Sequence, residues 1–230
     1  MSQMAFQFDP APSYTATNFL VSDNNRAAYD AIYAWPNWPA PVVILVGAVG
    51  VGKTHLLELW RQRSEAMTCD YQNLDDNFNP TRFAQRPVAI DEADKVAGNI
   101  GSERALFHLY NLALQNKQTL LLTAENHPQQ WGLLLPDLAS RLRAAIVVEI
   151  SDPDERLMRQ LYMKLFGDRQ IHVPEQVIDW LLARLERSAV TAMHVVAALD
   201  QAALEHQKPI TIFLARKALG YNDEEDGQHS

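Results

Sequence analysis

The sequence predicts an α/β fold: a parallel five-stranded sheet flanked by helices, followed by a small all-helical domain. Three observations carry that expectation. Residues 42–54 read Val-Val-Ile-Leu-Val-Gly-Ala-Val-Gly-Val-Gly-Lys-Thr, a buried strand running into a glycine-spaced loop and then into an apolar-periodic stretch. Further short apolar runs at 66–70, 87–90, 119–123 and 145–150 follow, with a polar, turn-like Asp75–Pro80 after the first and a helical pattern before the third, as in a parallel sheet. From Asp152 onward the strand signals stop and helical stripes take over.

Composition narrows the class. The 230 residues suffice for one or two domains with a real core. Apolar content of 47% and charged content of 21% are those of an ordinary globular protein. A net charge of −8 argues against a broad DNA-binding surface, which needs clustered lysine and arginine. Cys69 is the one cysteine, so no intramolecular disulfide forms and a reducing compartment fits. Its apolar neighbours make it a packed core residue rather than a nucleophile. No apolar run reaches the ~18 residues of a membrane span, and the N-terminus lacks a charged-then-apolar leader pattern. The expectation is a cytoplasmic protein.

In chain order, residues 1–12 form an arm carrying Met1, Met4, Phe6 and Phe8, with two readings: apolar residues tucked against the domain, or a short motif that docks into a partner. Residues 13–150 form the α/β domain. Ser22-Asp23-Asn24-Asn25 reads as an N-cap before a helix from Arg26 to Ala34, and a Pro- and Trp-containing loop leads to the first strand. Gly47, Gly52, Lys53 and Thr54 then fit G-x-x-x-x-G-K-S/T. In that motif glycines let backbone N–H groups curl around phosphate oxygens, the lysine reaches the β- and γ-phosphates and the hydroxyl holds magnesium. The competing reading is an ordinary glycine turn. A helical face at Leu56, Leu57 and Trp60 follows.

The strand at Pro87 to Ile90 ends in Asp91-Glu92, the second half of a nucleoside-triphosphatase site: Asp91 orients magnesium through water and Glu92 polarises the attacking water. Acidic residues that merely cap a strand are the alternative. A helix over Ser102–Asn116 precedes the strand at Thr119–Thr123, which ends in Ala124-Glu125-Asn126-His127-Pro128, a polar cluster at the sheet edge where ligands of open α/β sheets bind. Arg141 and Arg143 precede the last strand. Arginines there are either surface ion pairs or a finger projecting into another subunit's site. Residues 151–220 are the helical domain. Ser151-Asp152-Pro153 starts the first helix, with a stripe of Leu157, Met158, Leu161, Tyr162, Leu165 and Phe166, and Gly167-Asp168 breaks it. Pro174, Thr191 and Pro209 start the next three, the last ending at Gly220. Residues 221–230 are an acidic tail.

The order of phosphate loop, Asp-Glu strand, polar strand end, paired arginines and helical lid is similar to the AAA+ ATPase layout. Asn18-Phe19 with Asn24-Asn25, Gly-Lys-Thr-His-Leu-Leu at 52–57, Ser140-Arg141 and Ile210-Thr211 resemble the ATPase domain of the bacterial replication initiator DnaA over roughly residues 13–219. The expectation is that the initiator's separate DNA-binding domain has no counterpart here, in keeping with the acidic balance. A DnaA-like module with a short arm resembles the Hda family, regulators that act with the DNA-loaded sliding clamp of DNA polymerase III to promote hydrolysis of initiator-bound ATP.

That resemblance implies roles by position. Gly47, Gly50, Gly52, Lys53 and Thr54 would bind ADP or ATP, with Thr54 and Asp91 at Mg2+. Asp91 and Glu92 would be the Walker B pair, and Glu125 or Asn126 the first sensor. Arg141 would be the arginine finger, acting in trans on DnaA. His194 falls where the initiator's lid carries a sensor arginine; a shifted register or a solvent-facing histidine is the alternative. Gln3, Met4, Phe6 and Phe8 loosely match the family's clamp-binding peptide, with Gln7 in place of its proline. DNA would be met only through the clamp, no membrane is implied, and homo-oligomer formation stays open. The rival functions are an autonomous AAA+ ATPase, such as a helicase loader, and a DNA-binding accessory factor.

Overall fold

The computed structural model describes residues 19–221. The expected arm with Gln3, Met4, Phe6 and Phe8, and the tail beyond Tyr221, lie outside the described residues.

The chain runs α1 (Arg26–Ala34), β1 (Val42–Val46), α2 (Lys53–Ser64), β2 (Met67–Thr68), β3 (Val88–Ile90), α3 (Ile100–Gln115), β4 (Leu120–Ala124), α4 (Pro136–Arg143), β5 (Ile146–Glu149), α5 (Glu155–Asp168), α6 (Glu175–Arg184), α7 (Ala189–His206) and α8 (Ile212–Ala218). The five strands form one sheet in the order β2-β3-β4-β1-β5, and every neighbouring pair is parallel. All five β1 residues are buried. Alternation sends Val42, Ile44 and Val46 into the core shared with α3 and α4. Val43 and Leu45 go to the opposite face, against Ala28 and Ile32 of α1 and Leu56 and Trp60 of α2. Trp38 stacks on Trp60 at 5.4 Å, closing that second face with the Pro- and Trp-containing loop.

Register places the site. Val46 of β1 lies beside Ala124 of β4 on one side and Glu149 of β5 on the other, and Ile90 of β3 lies beside Leu122. The C-terminal ends of β1, β3 and β4 therefore open together at one edge, where the strand order reverses.

The four lid helices enclose their own core. Met158, Tyr162 and Phe166 of α5 meet Val177, Ile178 and Leu181 of α6, Val196 and Leu199 of α7, and Leu214 of α8. Spacing of four along α5 puts its buried residues on one face.

Several boundaries differ from expectation. β2 shrinks to two residues, although Cys69 N still donates to Ala89 O at 2.9 Å. Cys69 is buried, and burial pushes its thiol up to about 12, as a core thiol requires. Helix α5 starts one turn later than Ser151-Asp152-Pro153, because Asp154 caps it by accepting from Leu157 N at 2.7 Å. Helix α5 ends at Asp168, where the Gly167-Asp168 signal placed the break; beyond it Gln170, with φ 58°, closes the end as Ile171 N donates to Phe166 O at 3.0 Å and Gln170 N to Gly167 O at 2.9 Å. Ser188 caps α7 before Thr191, and Thr211 caps α8 after Pro209. Among the described residues no helix is long and apolar enough to cross a membrane.

Candidate functional site

The loop leaves the sheet at Gly47, whose N–H donates to Ala124 O at 3.2 Å. A Cβ on Gly47 would stand 2.5 Å from Ile150 O, so only glycine lets the chain pass between β4 and the residue after β5. Gly50, at φ +82°, lies against the lid: Ala189 N donates to its carbonyl at 3.2 Å, and an added Cβ would run into the Ser188 hydroxyl. Gly52 ends the loop beneath the ring of Phe19, and α2 begins at Lys53. With a glycine as N-cap and no acidic residue in its first turn, α2 leaves its leading N–H groups and positive dipole end to the loop.

Lys53 is buried, and its ammonium donates to the carbonyls of Gly47 at 2.6 Å and Ala48 at 2.7 Å. Burial lowers its pKa, opposed by the charges of Glu125, Asp91, Asp94 and Glu92. Lys53 thus stands amid four carboxylates at the mouth of the loop, one of which, Glu125, also pairs with Lys95.

Thr54 Oγ1 donates to Asp91 Oδ2 at 2.9 Å, joining the loop to the end of β3. The other carboxylate oxygen accepts from Thr123 Oγ1. Thr123 Oγ1 in turn accepts from Glu92 N at 2.9 Å. Fully buried Thr123 therefore orients the Asp91 carboxylate and the Glu92 backbone at once; in the sequence it reads as one more strand residue. Glu92 itself is exposed and left-handed, with φ 52° and ψ 43°, and it starts a 3-10 turn over Ala93–Val96. That turn brings Asp94 back to accept from Glu125 N at 3.0 Å, and Lys95 to the Glu125 carboxylate at 3.5 Å.

A cleft of about 390 Å³ opens beside the start of the loop, lined by Gly47, Ala48, Glu125, Asn126, His127 and Glu149 among others; Lys53, Thr54 and Asp91 do not line it. Backbone N–H groups, one ammonium, one hydroxyl and one carboxylate suit a phosphate with magnesium. Among the described residues no group of three or more His, Cys, Asp or Glu side chains could hold a metal alone. Thr54 and Asp91 together fit an ion that takes most of its oxygens from phosphate and water.

Arg141 and His194 stand apart from this cluster. Arg141 projects from α4, which buries Leu138 and Leu142 completely. Its guanidinium lies over the rings of Phe107, at 5.4 Å, and Tyr110, at 5.6 Å, both on α3. It lines a cleft of about 610 Å³ with His108, Asn111 and Gln115, and that cleft shares no lining residue with the one at the loop. His194 lies exposed on α7. The part of the lid that touches the loop is instead Ser188-Ala189, a contact that the helix-start pattern alone does not reveal.

Residues 156–219 match the Hda lid domain family. The chromosomal replication initiator protein DnaA of Thermomicrobium roseum is 29% identical over 242 residues, covering 92% of this chain and 50% of the relative. The chain spans about half the length of the curated relatives it matches. Domain III of the Thermotoga maritima DnaA superposes with a TM-score of 0.80 at 21% identity, covering 91% of this chain and 97% of that one. AMPPCP-bound DnaA from Aquifex aeolicus gives a TM-score of 0.73 at 22% identity, covering 85% of this chain and 67% of that one. At these identities the structural likeness speaks to fold, and the fold is that of AAA+ domains: a five-stranded parallel sheet with flanking helices and a helical lid. By fold, then, the chain is an AAA+ domain, similar in sequence to the DnaA initiators and, over residues 156–219, to the Hda lid domain family.

Proposed function

We propose that this protein is a nucleotide-binding AAA+ regulator that, with the DNA-loaded sliding clamp, promotes hydrolysis of DnaA-bound ATP and so limits re-initiation of chromosome replication. The observation that carries the reading is the separation of Arg141 from the chain's own phosphate loop, since their clefts have no lining residue in common. A guanidinium on another face is available to a neighbour's nucleotide, where it offsets charge developing on the transferred phosphoryl group.

In the chain's own site, Gly47, Gly50 and Gly52 shape the loop so that its N–H groups face phosphate. Lys53 exchanges the carbonyls of Gly47 and Ala48 for phosphate oxygens. Thr54 and Asp91 hold Mg2+, which supplies charge neutralisation when bound. Glu92 orients water, and Glu125 senses the terminal phosphate from the end of β4. The analogue-bound state of the A. aeolicus DnaA supports ADP or ATP as the ligand here. His194, shorter than the arginine expected at its place and exposed in α7, supports weak hydrolysis of the chain's own nucleotide, with ADP kept as a structural ligand. Gln3, Met4, Phe6 and Phe8 dock into the clamp by the sequence argument alone, which would hold the protein at the replisome in the cytoplasm.

The test is phosphate release from ATP-loaded DnaA, with and without this protein and clamp on DNA. Acceleration is expected, lost in Arg141→Ala with clamp binding intact and weakened in Gln3→Ala with nucleotide binding intact. No acceleration by the unaltered protein refutes the reading. A second reading, an autonomous ATPase such as a helicase loader, draws on the presence of Glu92 beside a linked Thr54–Asp91 pair. It requires robust ATP turnover by the protein alone, abolished in Glu92→Gln.

A further inference from the structure

We infer that Glu103 is the positioning residue of Arg141: its buried carboxylate ties the start of α4 to the start of α3 and sets the direction in which Arg141 is presented. The inference rests on the role proposed above for Arg141.

Glu103 sits in the first turn of α3 and is 0% exposed. Its Oε1 accepts from Gly98 N at 2.9 Å and from Leu134 N at 3.1 Å, and its Oε2 accepts from Leu135 N at 2.7 Å. A buried carboxylate is costly unless its oxygens are saturated with donors, and here three backbone N–H groups do that. Two of them belong to the residues that open α4. Leu135 is the N-cap of α4, with an apolar side chain that cannot cap, and Pro136 has no N–H to offer. The carboxylate thus pins the two residues that lead into α4, Leu134 and its N-cap Leu135, from 31 and 32 positions away in the chain.

The same face of α3 continues to Arg141. Phe107 and Tyr110 lie four and seven residues beyond Glu103, one and two turns along. Their rings carry the Arg141 guanidinium. Between these two points Leu138 and Leu142 bury α4 against the core. Apolar contacts set the depth of α4, yet they permit it to slide or rotate. Glu103 fixes its axial register by directional bonds. A finger that must meet a phosphoryl group across an interface depends on that register, since a displacement of about 1 Å can cost roughly 10²-fold in rate.

Glu103→Gln keeps the shape but turns one acceptor oxygen into a donor, so at least one of the three N–H groups loses its partner. We expect the maximal rate of stimulated DnaA-ATP hydrolysis to fall about 10- to 10²-fold. The half-saturating concentration and the protein's own nucleotide affinity should stay within about twofold. Amide hydrogen exchange should accelerate at Leu134 and Leu135 while β1 and β4 amides keep their protection. Combined with Arg141→Ala, the Glu103→Gln change should add no further loss. Glu103→Asp, which keeps the charge but shortens the reach, takes its place if the glutamine variant does not fold, and should lose rate in the same pattern. Additive losses in the double variant, or a full rate in Glu103→Gln alongside an inactive Arg141→Ala, would overturn this inference alone. An unimpaired Arg141→Ala would overturn the proposed function beneath it.

Discussion

At the phosphate loop, chemistry is concentrated in residues 42–54 and joined to the ends of β3 and β4 by the Thr54–Asp91 and Thr123–Asp91 hydrogen bonds. At the α3–α4 face, one guanidinium is held by two rings and by a helix whose start is bonded to Glu103. The first region builds a site from what the chain already holds in sequence. The second presents a single guanidinium on another face, which under the proposed function would complete a site on another molecule. A module with both has two ways to meet a nucleotide, and substitutions should separate them.

The largest separation should come from Arg141→Ala. Removing an arginine finger costs about 10³-fold or more in the rate of the site it serves. Stimulated hydrolysis should fall by that order while binding of a fluorescent nucleotide by this protein stays unchanged. Lys53→Ala should do the reverse, because charge-assisted hydrogen bonds of about 1.5–3 kcal/mol to phosphate are lost. Own-nucleotide affinity should drop about 10- to 10²-fold by titration. If Arg141→Ala weakened own-nucleotide binding as much as Lys53→Ala, the two regions would be one site and the comparison would fail.

The same contrast explains what could be read from the sequence. The loop was legible because its glycines, Lys53 and Thr54 are contiguous and their spacing encodes geometry. The central strands β1, β3 and β4 were legible from their apolar runs because they are buried on both faces, whereas the edge strands β2 and β5 keep exposed polar positions at Thr68 and Glu149. Helix α4 was not, since eight residues with Leu138 and Leu142 as their only buried pair give too little periodicity. Thr123 and Glu103 look like a strand residue and a helix-surface charge until partners more than thirty positions away arrive. The end of α5 was legible at Gly167-Asp168, and the left-handed Gln170 just beyond it completes the stop.

Gly50→Ala probes a smaller link, the one between loop and lid. At φ +82° an alanine is strained by about 1–2 kcal/mol, and its Cβ meets the Ser188 side chain. A melting temperature lower by about 2–8 °C is expected by calorimetry. Adding Ser188→Gly should recover the steric part and leave the backbone part, so the two changes are non-additive. Strict additivity would mean that lid and loop do not touch in solution.

Ser188→Ala should have the smallest effect, and it separates two jobs of one side chain. Ser188 Oγ caps α7 by accepting from Thr191 N at 3.3 Å, and the same atom lies over Gly50. Loss of a serine cap costs about 0.5–1 kcal/mol, and the long bond puts this one at the lower end. Alanine keeps the Cβ, so contact with Gly50 weakens without leaving a large void. Urea unfolding should therefore show the small loss of a cap, with own-nucleotide affinity within about twofold, if Ser188 serves only the helix. A clear fall in affinity with unchanged stability would instead make Ser188 part of the phosphate site. The lid would then act on the bound nucleotide through the start of α7 rather than through His194, one further turn along the helix and facing solvent.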